Sequence, residues 1–176
     1  MYSALFLDRD GVINIDYGHV YRKENFDFID NIFDLVSYAK SKNFLVVIVT
    51  NQAGIAKGFY TEKEFKTLMS WVSKQFELNN GKIDKTYFCP FHKDGIVKKY
   101  AKDSIYRKPQ PGMIIKACKD LNIDPQKSLL VGDKISDIEA GNSSLIAKSI
   151  YFGHKKCNEA YKSISNHIDI IEELNF

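Results

Sequence analysis

The sequence lacks the features that would remove it from the ordinary globular class. No stretch approaches the roughly 20 consecutive apolar residues that a membrane-spanning helix needs, so a helical membrane protein is excluded. Cys89, Cys118 and Cys157, at irregular spacing, make no disulfide framework, and a reducing cytoplasm is the expected compartment. The N-terminus runs directly into a strand-like segment, Ser3 to Leu7, with no basic region before it, so no signal peptide is expected. There is no internal repeat and no low-complexity tract. Charge of one sign is also missing: 25 Lys and Arg against 22 Asp and Glu leave a formal charge of +3. That excess suits an anionic small molecule but does not argue for nucleic acid.

What remains is 176 residues, 44% hydrophobic and 27% charged, the size and mix of a single domain spanning 1–176. Apolar runs alternate with helical patterns. Ser3–Leu7, Phe44–Val49, Thr86–Cys89, Ser128–Val131 and Ser149–Phe152 read as strands buried on both faces of a parallel sheet. Between them, Ile32, Leu35, Val36 and Ala39 line one helix. Thr61 and Glu64 form a capping-box pattern at the head of a second, whose stripe is Phe65, Leu68, Met69, Val72 and Phe76. Trp71 lies off that stripe. Pro111 opens a third helix, with Ile114, Ile115, Cys118 and Leu121 as its apolar face, and Ile135–Ala140 begins a fourth. This order predicts a three-layer α/β fold with a mostly parallel sheet. Residues 90–108 show no periodicity, and so long a loop in a compact domain is usually functional or specially braced.

Polar residues gather where the strands end. The first stops at Asp8-Arg9-Asp10-Gly11, the second at Thr50-Asn51-Gln52, and the fourth at Gly132-Asp133-Lys134 with Asp137 one turn on. Open α/β sheets bind ligands beyond the carboxyl ends of their strands, so these segments are expected to converge, with Arg107-Lys108-Pro109 adding positive charge. Asp8, Asp10 and Asp133 are hard oxygen donors of the kind Mg²⁺ takes. Thr50 and Lys108 offer a hydroxyl and a cation to phosphate oxygens. One carboxylate can serve as a nucleophile and a second as general acid and then base.

This assembly resembles the haloacid-dehalogenase-like (HAD) superfamily. DRDGV at 8–12, Thr50, Lys108 and GDKxxD at 132–137 stand in the order of its four motifs. More closely, FLDRDGVIN, DYGHVYRKENFDFID at 16–30, VTNQAGIAKG at 49–58, CPFH at 89–92, RKPQPGM at 107–113 and VGDK at 131–134 resemble the D-glycero-D-manno-heptose 1,7-bisphosphate phosphatase family, and less closely its histidinol-phosphatase relatives. The resemblance implies a capless Rossmann-like fold and a Mg²⁺-dependent phosphatase acting in nucleotide-heptose synthesis. It implies that Asp8 is nucleophile and metal ligand, that Asp10 is acid/base and lends its carbonyl to the metal, and that Asp133 completes the metal site. Thr50, Asn51 and Lys108 would bind the transferring phosphate. Gln52, Lys57 and Arg107 would lie near the substrate, and Lys134 and Asp137 would support the site.

The chain departs from that family in the 90–107 loop. Many members hold it with zinc through a Cys-x-His and a later Cys-x-Cys. Here Cys89 remains, but Phe91, Ser104 and Tyr106 stand at the other ligand positions and His92 is one residue off. Structural zinc wants four tetrahedral ligands, so no zinc is expected, with Phe91, Tyr100 and Tyr106 packing in its place. Ala53 and Lys57 stand where the family usually has Ser and Arg. Histidinol phosphate, a catalytically silent phosphosugar-binding protein and a nucleic-acid 3′-phosphatase are the competing readings. The last is disfavoured because no long basic, aromatic-rich stripe is present. The expected partner is a small phosphorylated sugar, with no nucleic acid and no membrane, and the chain is expected to be a monomer.

Overall fold

Six parallel strands carry the molecule. In the computed structural model, which describes residues 1–175, they are β1 (Ala4–Leu7), β2 (Leu45–Asn51), β3 (Lys85–Cys89), β4 (Leu129–Gly132), β5 (Lys148–Phe152) and β6 (Lys162–Ile164), in the order β3-β2-β1-β4-β5-β6. The chain lays β2 and β3 on one side of β1, then crosses over and lays β4, β5 and β6 on the other. The carboxyl end of β1 is therefore a topological switch point, where the loops on either side part and leave a crevice. Asp8 is the first residue beyond β1, and its neighbours across the sheet are the ends of β2 and β4.

The helices are α1 (Ile32–Ser41), α2 (Ala53–Ala56), α3 (Glu62–Leu78), α4 (Gly112–Leu121), α5 (Ile135–Ser143) and α6 (His167–Ile171). The two-residue period of a strand sends alternate side chains to opposite faces, and this divides the core in two. Leu5 and Leu7 of β1, Val46 and Ile48 of β2, and Leu129 and Val131 of β4 meet α1, α3 and α6. Ala4, Phe6, Val47, Val49 and Leu130 meet α4 and Ala140 of α5. Continued past β1, the same alternation puts Asp8 on the α4–α5 side and Arg9 on the α1–α3 side. The active site inherits this division.

The five expected strands are present within one or two residues. β6, α2 and α6 were not expected, being three, four and five residues long and too short to show a period. The Thr61 capping box forms: its hydroxyl accepts from the Glu64 amide at 3.2 Å, and the Glu64 carboxylate accepts from the Thr61 amide at 2.8 Å. Trp71 packs edge-on to Phe26 at 5.8 Å. The face expected of α4 needs correction. Met113, Ile114 and Ala117 are its buried residues, while Ile115 is 52% exposed and Cys118 and Leu121 pack at the margin. Successive helical residues point about 100° apart, so Ile114 and Ile115 cannot both face the sheet. Among the described residues no inserted segment is large enough for a separate cap, and no helix is long and apolar enough to cross a membrane.

Candidate active site

On the α4–α5 side of β1 the Asp8 carboxylate is 6% exposed. The Lys108 ammonium lies 2.9 Å from it and also donates to Asp137 at 2.6 Å and to the Val49 carbonyl at 2.7 Å, so its three N–H groups are committed. Asp137 opens α5: its second oxygen accepts from the Lys134 amide at 3.0 Å, which locks the carboxylate at the helix head. Gly132 lets it stand there, because a Cβ at that position would run into the Asp137 side chain. Gly11, with φ +86°, does the same for Asp133. A left-handed backbone with no side chain is what that close approach requires.

The charge balance on this side is negative. Burial raises the Asp8 pKa; the Lys108 charge opposes this and the Asp137 charge adds to it. Burial pushes Asp133 up to about 7, with the Asp8 charge as the next cause. Burial alone would lower the Lys108 pKa, but Asp137 and Asp8 outweigh it and hold the ammonium above its ordinary value.

On the α1–α3 side, Asp10 lies among donors. Arg9 is wholly buried and grips it through Nε to Oδ1 at 3.1 Å and Nη2 to Oδ2 at 2.8 Å, with a further Nη2 contact to Oδ1 at 2.6 Å. Asn14 donates to Oδ1 at 3.1 Å and Gln52 to Oδ2 at 3.2 Å. The Arg9 guanidinium lies 5.7 Å from the Phe65 ring centre and 6.0 Å from that of Phe26, and it donates to the Val20 carbonyl at 2.6 Å. Thr50 is also buried; its hydroxyl oxygen accepts from Gln52 at 2.8 Å, which leaves its O–H free to donate.

Of the residues picked out from the sequence, the structure brings together Asp8, Asp10, Thr50, Lys108, Asp133, Asp137 and Gln52. Gln52 is 1% exposed and spends its amide on Asp10 and Thr50, so it backs the site and does not line its mouth. Asn51 spends both ends of its amide on the Lys108 backbone, each at 3.0 Å, which fixes the 108 loop against β2. Lys134 lies on the rim, 3.2 Å from Asp16 and 3.9 Å from Asp133. Arg107 reaches the Phe91 carbonyl at 3.4 Å. Lys57 follows α2 and is part-exposed. Arg9 and Asn14 escaped the sequence reading. Arg9 sits between two aspartates, and only the strand alternation separates its surroundings from those of Asp8.

The 90–107 loop is braced by ordinary bonds. Ile96 and Val97 amides both donate to the Ala56 carbonyl, at 2.9 and 3.0 Å, and Tyr100 donates to Glu62 at 2.6 Å. Phe91 and Tyr100 pack with ring centres 5.9 Å apart, while Tyr106 is 37% exposed.

A divalent cation fits the Asp8 side. Asp8, Asp133 and Asp137 each offer an oxygen within 4.8 Å of the others. Asp133 Oδ1 is buried and has no hydrogen-bond partner among the described residues. An all-carboxylate set with an unpartnered oxygen and a negative balance suits a hard cation such as Mg²⁺.

Comparison with known proteins places this geometry. Residues 6–169 match the model of the polynucleotide kinase 3 phosphatase family. The chain is 47% identical over 147 residues to the D-glycero-alpha-D-manno-heptose-1,7-bisphosphate 7-phosphatase of Burkholderia mallei, covering 84% of this chain and 78% of that protein. It is 38% identical over 183 residues to the D-glycero-beta-D-manno-heptose-1,7-bisphosphate 7-phosphatase of Pasteurella multocida, covering 99% of both. A HAD-like phosphatase of Mesorhizobium loti superposes with a TM-score of 0.90 at 30% identity, over 98% of this chain and 86% of the other. The D,D-heptose 1,7-bisphosphate phosphatase of B. bronchiseptica, solved with magnesium and phosphate, shares the fold with a TM-score of 0.84 at 20% identity, over 98% of this chain and 97% of that one.

Proposed function

The chain belongs to the polynucleotide kinase 3 phosphatase family, within the HAD-like phosphatases, and from that premise we propose that it hydrolyses the 7-phosphate of a D-glycero-D-manno-heptose 1,7-bisphosphate through a phosphoryl-enzyme on Asp8. The observation that carries this reading is the buried Asp8–Lys108–Asp137 cluster beside the unpartnered Asp133 oxygen at the switch point of the sheet. The 38–47% identity to relatives of that activity supports the substrate. Those two relatives are named for the alpha and the beta anomer, and the proposal covers both.

In this reading an Asp8 oxygen attacks phosphorus and the bond to the sugar oxygen breaks. Asp10 protonates that oxygen, then takes a proton from the water that releases phosphate from Asp8. Lys108, its N–H groups committed, meets the phosphate as a fixed positive charge beside the nucleophile, and the free Thr50 hydroxyl donates to a phosphate oxygen. Asp8, Asp133 and the Asp10 carbonyl would hold Mg²⁺, which when bound neutralises charge on the phosphoryl oxygens. Arg107 and Lys57 stand on the rim for the second phosphate, with Lys134 beside the first. One domain carries the whole site, and the 90–107 loop is braced through Ala56 and Glu62.

The test is phosphate release by the purified enzyme with Mg²⁺ from α- and β-heptose 1,7-bisphosphate, histidinol phosphate and a 3′-phosphorylated oligonucleotide. The expected result is the highest kcat/KM on a heptose bisphosphate, with heptose 1-phosphate as product. A preference for histidinol phosphate or the oligonucleotide would overturn the substrate assignment.

A further inference from the structure

Asp10 must present its carboxyl group to a departing sugar oxygen from a turn just past the end of β1. What limits it is a set of buried groups assigned no part in the reaction. We propose that Arg9 and Gln52 are positioning residues that together hold the Asp10 carboxyl in the orientation from which it serves the leaving group. The inference rests on the phosphatase reading above and deepens it.

The geometry is specific. Arg9 makes a two-pronged contact, Nε to Oδ1 at 3.1 Å and Nη2 to Oδ2 at 2.8 Å, which fixes the plane of the carboxyl group. A lysine ammonium could supply the charge but not the plane. The guanidinium itself cannot drift. It is fully buried, flanked by the Phe26 and Phe65 rings, and tied to the Val20 carbonyl at 2.6 Å. Its Nη1 has no hydrogen-bond partner among the described residues, so the group was not placed there to satisfy all its own donors. The molecule carries that cost where the fork reaches Asp10.

Gln52 closes the opposite side. The Gln52 nitrogen is the end that faces Asp10, at 3.2 Å. Its other N–H goes to Thr50 at 2.8 Å. The Gln52 oxygen then faces Tyr60, whose phenol donates to it at 2.6 Å. Burial pushes the Tyr60 pKa up to about 12, so this donor is permanent at working pH. The ring fits there because residue 54 is glycine; a Cβ would strike it. Tyr60 therefore fixes which way round the Gln52 amide lies, and the amide in turn fixes Asp10 and leaves the Thr50 hydroxyl as a donor toward the phosphate.

A displaced general acid has a signature that general loss of structure does not. A sugar alkoxide cannot leave without a proton, whereas p-nitrophenolate can. The kcat/KM value reports the steps up to departure of the leaving group. The experiment compares kcat/KM on heptose 1,7-bisphosphate and on p-nitrophenyl phosphate for wild type, Gln52→Met, Arg9→Lys and Arg9→Met, with melting temperature followed in parallel. Gln52→Met should lose about tenfold on the sugar ester and less than about threefold on the aryl ester, within the range general acid catalysis contributes. Arg9→Lys should show a larger sugar-to-aryl disparity, on the order of 30-fold, because the fork is lost. Arg9→Met can fail to fold, and the Gln52 and Lys variants decide the matter without it. Equal losses on the two esters, or an unchanged sugar-ester kcat/KM in Gln52→Met, overturn the inference while leaving the phosphatase reading intact. No turnover of either ester by the wild-type enzyme overturns that reading and the inference with it.

Discussion

Two aspartates two residues apart live in opposite surroundings. Asp8 shares its side of β1 with Asp133 and Asp137 and has one committed lysine among them. Asp10, on the other side, is matched by a buried arginine and two side-chain amides. The first set is incomplete as protein alone: burial and mutual repulsion raise the pKa values of Asp8 and Asp133, and one oxygen has no partner. The second set is complete for Asp10. The alternation of side chains at the end of β1 sends Asp8 and Arg9 to opposite sides, and Asp10, where the strand has given way to the turn at Gly11, bends back to Arg9. One side is shaped to be finished by a cation and a phosphate, the other to hold a proton-transfer group still.

The comparison breaks most severely at the nucleophile. Asp8→Asn keeps the shape of the side chain but removes the attacking anion, so kcat should fall on the order of 10⁴-fold or more. Circular dichroism should show an unchanged fold. Near-wild-type turnover by that variant in Mg²⁺ would remove the basis for treating the two sides differently.

Breaking the other side should cost stability. Arg9→Met strips a part-buried carboxylate of its buried charge partner, a change worth about 3–5 kcal/mol, read as a lower urea midpoint at constant slope. A loss below about 1 kcal/mol, the scale of an exposed ion pair, would mean that Asp10 is satisfied by water and that its side is not self-contained.

The rim the two sides share is probed by Arg107→Ala. Loss of a charged hydrogen-bonding group from the second phosphate should cost about 1.5–3 kcal/mol, or roughly ten- to hundred-fold in kcat/KM. It should do so on heptose 1,7-bisphosphate and much less on heptose 7-phosphate. Equal losses on both would assign Arg107 to bracing the loop through Phe91.

Acidity sharpens the contrast further. With the folded-state pKa of Asp133 raised from 3.8 to about 7, the metal-free protein gains stability from this group at low pH. It loses that stability as pH climbs from the unfolded value through about 7. Mg²⁺ must displace the proton to bind, so each pH unit below 7 should weaken binding by up to about tenfold. The Mg²⁺-induced rise in melting temperature should therefore be larger near pH 8 than near pH 5.5, and a rise equal at both pH values would contradict the assignment.

Much of this was readable before the fold was in hand. Phe44–Val49 and Ser128–Val131 announce buried parallel strands by their unbroken apolar runs, and the polar residues that follow them mark the site. The capping box at Thr61 and Glu64 is a local pattern and forms as written. What stayed hidden depends on tertiary placement. Ile115 reads as core from its composition, but the rotation of α4 about its axis turns it to solvent. The resemblance gives Asn51 and Gln52 as phosphate and substrate contacts; no sequence pattern shows that their amides also bond the Lys108 backbone and Asp10. Arg9 gave no sign at all, since a charged residue between two charged residues carries no periodicity. Its burial between Phe26 and Phe65 is set by α3 and the 20–26 segment folding over it.

The most direct test of the whole account uses Asp10→Asn, which keeps the nucleophile and removes the group that activates water. The variant is mixed with p-nitrophenyl phosphate radiolabelled in its phosphate, whose leaving group departs without a proton, in Mg²⁺, quenched in acid and digested, and the labelled peptide is sequenced by mass spectrometry. The account predicts that label accumulates on the peptide carrying Asp8, because phosphoryl transfer to the enzyme is then faster than hydrolysis of the phosphoryl-enzyme. Label on another residue, or no covalent label while phosphate release continues at the wild-type rate, would contradict it.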